Sequence, residues 1–127
     1  MKQYSEPTTV GLKSEAHEKL KELKESGEFG EMTDAYRFAI ALALFKGADP
    51  GGARSGTWTT VFNVGSLDPD GSLFTAVETL RNPDLDEPVW RTAERLADWG
   101  IEELCRLQSQ GRLPIADLLA EAAEGSA

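Results

Sequence analysis

Asp68-Pro69-Asp70-Gly71 is the nearest thing in this chain to a cluster of ligating side chains. Two carboxylates two residues apart, followed by glycine, resemble the opening of a calcium loop. Such a loop then needs Gly at its sixth position and a carboxylate at its twelfth. Leu73 and Thr79 stand there instead, and a strand-like stretch precedes where a helix is needed. The segment therefore reads as a turn that caps the next helix. His17 and Cys105 are the only residues of their types, which weighs against a His/Cys metal site and excludes an internal disulfide. His17 lies one position off an apolar helical stripe and reads as a boundary residue. Cys105 falls on an apolar helix face, where a thiol is usually an inert small hydrophobe. No spacing supports a nucleophile pair between them. Gly51, Gly52 and Gly56 follow a helix and precede a strand, the reverse of a phosphate-binding turn, and no Gly-Lys-Ser/Thr comes after them. Glu102 and Glu103 are neighbours in a helix and point to different faces. Trp58, Trp90 and Trp99 could line a recognition surface, yet core or boundary packing is the first reading for each. No catalytic residue, metal or cofactor is expected, and the chain reads as a non-enzyme.

The elements that would carry these residues follow from hydrophobic period. Met1 to Pro7 is polar and reads as loose, and Thr8 to Leu12 alternates as a short strand with Val10 and Leu12 on one face. Thr9, Gly11 and Lys13 fall on the other. Ser14 is placed to cap a helix whose stripe is Leu12, Ala16, Leu20 and Leu23. Gly27 ends it, and Phe29 turns back toward the core. Thr33 is placed to cap a second helix over residues 34–45, the most apolar run in the chain, and Gly47 stops it. Too short for a bilayer, which needs roughly 20 apolar residues, this is a core helix needing cover on nearly every side. Residues 49–56 form a loop by composition, and Thr57 to Val64 is the best strand. Three helical stripes follow. One runs from Leu73 to Leu80, a longer one from near Pro88 to Gly111, and a last one from Pro114 to Ala122.

Charge divides the chain in two. Residues 1–56 hold 8 Lys/Arg against 9 Asp/Glu, while residues 57–127 hold 5 against 13. The acidic second half repels nucleic acid, so any DNA contact belongs to the first half. With 127 residues the expectation is one domain, mainly α with two short strands. It divides into a unit at 8–47 and a strand plus acidic helices at 57–123. No signal peptide or membrane anchor is expected, and the cytoplasm is the expected location.

Two resemblances add to this reading. Thr8-Thr9-Val10-Gly11-Leu12-Lys13-Ser14-Glu15 and Thr33-Asp34-Ala35-Tyr36-Arg37-Phe38-Ala39-Ile40 are similar to the strand and second helix of ribbon-helix-helix DNA binders. In that family two units dimerise through antiparallel strands whose outward side chains enter the major groove. The resemblance implies DNA contacts from Thr9, Gly11 and Lys13, and a phosphate at the helix start near Thr33. It implies a ribbon-helix-helix-like N-terminal half and, as one function, a transcriptional repressor or an antitoxin whose acidic half neutralises a basic toxin. Arg, Lys, Asn or Gln usually occupy the outward positions, so Thr9 and Gly11 depart from the pattern. The apolar helix would meet its symmetry mate in a homodimer or higher homo-oligomer, with Phe38, Ile40, Leu42 and Phe45 at the seam.

The second resemblance covers residues 28–120. Glu28-Phe29-Gly30, Met32-Thr33-Asp34-Ala35, Phe38-Ala39, Ala41-Leu42 and Lys46-Gly47, with Leu96-Ala97-Asp98-Trp99-Gly100-Ile101-Glu102-Glu103-Leu104, are similar to small accessory proteins of DNA phosphorothioation (Dnd) gene clusters. Trp99 stands where a glycine or other small residue is expected. The resemblance implies a non-enzymatic accessory or regulatory protein of a bacterial DNA-modification and phage-defence system. Its partners would be a defence-complex protein and, through the first half, double-stranded DNA.

Overall fold

β-Branched and aromatic residues make the strands, and 3.6-residue apolar stripes make the helices. The computed structural model describes residues 6–27, 29–48 and 57–110. In chain order these form β1 (Thr9–Lys13), α1 (Ser14–Glu25), α2 (Met32–Phe45), β2 (Trp58–Asn63), α3 (Val64–Leu67), α4 (Ser72–Leu80) and α5 (Val89–Ser109). The fold is mainly helical with one two-stranded antiparallel sheet, as the sequence implies. The expected final helix beyond Gly111 and the loop at 49–56 lie outside the described residues.

β1 and β2 pair within the chain, Thr9 opposite Asn63 and Lys13 opposite Trp58. The register slips between Val10 and Gly11, because Val10 faces Phe62 while Gly11 faces Thr60. Val61 is thus the extra residue of a bulge, which breaks the simple alternation of faces. Val10, Gly11 and Leu12 are all buried.

α5, about 30 Å long at 1.5 Å per residue, is the axis of the core. α2 packs along it, and β1, α1 and α4 complete its cover. α2 therefore finds much of its cover within the chain. Ile40 is fully buried and Leu42 nearly so by the chain's own elements, because α5 supplies the missing cover. Phe38 is half-buried and packs on Phe29 with ring centroids 5.7 Å apart. Phe45 is the exception at 45% exposure.

The helix ends are held in specific ways. After α2, Gly47 adopts a left-handed φ of 66°. Its N–H donates to Leu44 and the N–H of Ala48 to Ala43, the paired bonds of a Schellman ending. Ser14 and Thr33 are not the caps expected of them. α1 begins at Ser14 itself, and α2 begins at Met32 after Glu31, neither with a side-chain cap. The Asp68–Gly71 turn does cap: Asp68 accepts the N–H groups of Leu73 and Phe74, both at 2.9 Å. Glu6, in a segment expected to be loose, accepts the N–H groups of Val89 and Trp90 and so caps α5 from across the molecule.

Candidate functional site

The positions implied for DNA contact lie on β1 and at the start of α2. Gly11 is buried, not outward. A Cβ there would lie 2.4 Å from the carbonyl oxygen of Thr59, so the close approach of β2 requires glycine. With β2 on one edge of β1, the opposite edge is what a partner strand would need. That edge is occupied by side chains of this chain. The Gly11 N–H donates to Glu94 at 2.7 Å, the Gly11 carbonyl accepts from the Tyr36 hydroxyl at 3.0 Å, and the Lys13 N–H donates to Asp98 at 3.1 Å. The intermolecular ribbon implied by the first resemblance is therefore corrected. β1 pairs in cis, and its remaining edge is closed by α2 and α5.

Charge around this edge is mostly negative. Lys13 is exposed and stands over the Trp58 ring, 5.8 Å from its centroid. The groove beside it is lined by Ser14, Glu15, Thr57, Asp98 and Glu102. Burial pushes the Asp98 carboxyl above its ordinary value, against the Lys13 N–H that lowers it. Glu102 pairs with Lys19, whose ammonium is raised by that hydrogen bond. Thr9 is half-buried and faces Asn63. Thr33 is also half-buried, and its hydroxyl donates to Glu31 at 3.3 Å. Asp34 pairs with Arg37, whose guanidinium donates to the Leu67 carbonyl. A phosphate arriving at this helix start would meet Glu31 and Asp34 first.

Glu94 is the residue that sequence reasoning missed. It is 1% exposed, and its second oxygen accepts from Arg91 at 2.8 Å. Its signal lay in the period. Trp90, Glu94 and Asp98 follow one another at four-residue steps along the margin of the apolar stripe of α5. Charged groups so placed are buried with partners or not at all.

A second feature lies at the junction of α2, α4 and α5, where a cavity of about 200 Å³ opens. Arg81, Asn82, Thr92 and Arg95 supply its polar wall, and Leu44, Leu80 and Leu96 much of its apolar wall. Arg95 is 7% exposed and holds Glu87 with both terminal nitrogens. Burial pushes the Glu87 carboxyl up, but hydrogen bonds from Arg95 and Thr92 outweigh it and hold it below its ordinary value. Arg81 donates to the Glu87 carbonyl at 3.0 Å and to the Thr92 hydroxyl at 2.9 Å.

The remaining candidates are packing groups. Trp90 is 5% exposed against Phe74, and Trp99 and Trp58 are half-buried. Cys105 is half-buried beside the Lys19 carbonyl, and burial pushes its thiol up, away from the reactive thiolate. His17 sits half-buried on α1. Among the described residues no group of three His, Cys, Asp or Glu could hold a metal ion, and no helix is long and apolar enough to cross a membrane.

Compared with protein families, curated proteins and solved structures, the chain matches none.

Proposed function

We propose that this chain is a non-enzymatic accessory or regulatory protein of a bacterial DNA-modification or phage-defence system. It works in the cytoplasm through a protein partner, not by reading bases. The observation that carries protein over DNA is the closed edge of β1. Its outward N–H groups are spent on Glu94 and Asp98, and the groove beside Lys13 is walled by Glu15, Asp98 and Glu102. A duplex approaching this strand meets more carboxylate than cation, and the counterion release that drives phosphate binding has little to draw on. The partner that fits an acidic surface is a basic protein. The place in a defence locus rests on the second resemblance. Its two stretches meet in the fold, where Gly100 of the one packs on Ala39 of the other.

A gel-shift titration with the upstream DNA and a scrambled duplex, at low and physiological salt, tests this. The expected result is no shift, or one that salt removes equally from both duplexes. Tight, sequence-selective binding that survives physiological salt would overturn it.

A further inference from the structure

The cavity between α2, α4 and α5 is built with more positive charge than its own carboxylate can neutralise. Arg81 and Arg95 both line it, and Glu87, the one carboxylate bonded to its polar wall among the described residues, is taken by the fork of Arg95. Arg81 spends a nitrogen on two neutral oxygens, those of Glu87 carbonyl and Thr92 hydroxyl, and forms no ion pair among the described residues. Glu87 thus serves two guanidiniums, Arg95 directly and Arg81 at longer range, which leaves one positive charge in excess among the described residues, in a chain of net charge −9. Asp84 and Asp86, on the loop above, do not line the cavity. A second observation points the same way. Arg95 Nε is buried with no hydrogen-bond partner among the described residues, whereas buried donors are ordinarily satisfied. The third is apolar. Leu80, on the cavity wall, is a large hydrophobe left 65% exposed.

We propose that this cavity binds a small monocarboxylate with a short branched aliphatic body. The carboxylate sits against Arg81, whose planar guanidinium fork matches its two oxygens. The aliphatic body lies on Leu44, Leu80 and Leu96. An engineered cavity of roughly 150 Å³ accommodates benzene, so a space of about 200 Å³ has room for an acid of about six heavy atoms. The site is independent of the DNA or protein question, since none of its residues belongs to the β1 edge.

The test is a titration of the ¹⁵N-labelled full chain with isobutyrate, acetate and isobutyramide, following amide shifts. Isobutyrate should give saturable shifts confined to residues such as Gly47, Ala48, Leu85 and Leu96, with a dissociation constant on the order of 1 mM or tighter. Acetate lacks the body and isobutyramide lacks the charge, and each should bind at least about tenfold more weakly. Arg81→Gln should abolish binding. Because that change also removes the bonds to Glu87 and Thr92, Ala48→Leu is the companion variant. It fills the cavity, leaves the charges in place and should abolish binding too. Shifts that never saturate, isobutyramide binding as well as isobutyrate, or binding undiminished in a folded Ala48→Leu protein would each overturn the proposal.

Discussion

Gly100 of α5 and Ala39 of α2 meet backbone to backbone: a Cβ on Gly100 would lie 2.1 Å from the Ala39 carbonyl oxygen. This contact lets the two longest helices approach closely enough to share one core, and no side-chain rotation can relieve a clash with a carbonyl. Gly100→Ala should therefore cost about 2–3 kcal/mol, at the upper end of overpacking changes. Gly65, in α3, is the control, because a Cβ there meets nothing within 4 Å. Gly65→Ala should be neutral or stabilise by up to about 1 kcal/mol. Urea unfolding of the two variants separates them, and equal midpoints would show that the crossing is not so tight.

Glu94 ties α5 to β1 and carries a charge in the core. Glu94→Ala leaves the Gly11 N–H and Arg91 without their acceptor and opens a gap, which should destabilise by about 3 kcal/mol or more. Glu94→Gln keeps an acceptor of the same shape and should cost less than half as much. If the two variants unfold at the same denaturant concentration, the bond to Gly11 contributes nothing.

The periodic elements were legible in the sequence, and the long-range closures were not. The β-branched run at Trp58–Asn63 and the stripes of α2 and α5 fall where expected. The need to cover α2 was also legible, but its source was not. Sequence period shows that a face must be buried and says nothing about whether the cover is α5 or a second copy. β1 and β2 are separated by two helices, so no turn signal announces their pairing. Glu6 lies 83 residues from Val89, and nothing local marks it as a cap. Ser14 and Thr33 are residue types that favour caps, but the observed helices begin one residue too early for Ser14 and two too early for Thr33. At the candidate sites, Lys13 stays exposed as read, while the bulge at Val61 and the nearness of Thr59 put Gly11 inside.

Asp68 and Asp70 stand two residues apart in a turn and perform different tasks. Both oxygens of Asp68 accept N–H groups of α4, whereas Asp70 bonds the Ser72 N–H and hydroxyl at the exposed tip. Asp68→Ala should cost about 1–2 kcal/mol, in the range of lost helix caps, and Asp70→Ala distinctly less. Millimolar calcium should leave the melting temperature of the wild-type chain unchanged, because the Asp68 oxygens are already committed to amides. A calcium-dependent rise that Asp68→Ala removes would restore the calcium-loop reading.

Glu103 joins the end of α2 to α5, accepting from Lys46 at 2.8 Å and from Arg106. The Arg106 hydrogen bond is the largest influence on its carboxyl and Lys46 adds to it, together bringing the pKa down from 4.5 to about 2 against a burial that raises it. A carboxyl depressed by folding stabilises the folded state above its unfolded pKa, and the contribution fades as protons bind to the native form. The stabilisation from Glu103 should thus be complete above about pH 5 and disappear between pH 4.5 and about 2. Arg106 is half exposed, so solvent screening reduces the effect to about 1–2 kcal/mol. Glu103→Gln should be less stable than wild type by that amount at pH 7, and the two stability curves should converge toward pH 2. Asp98 opposes this trend. Burial raises its folded pKa, so its ionisation costs stability as pH rises from its ordinary value through the raised one. Asp98→Asn should therefore gain on wild type as pH rises from 4 to 7, the opposite slope to Glu103→Gln. Parallel curves for the two variants would mean that neither carboxylate titrates differently in the folded chain.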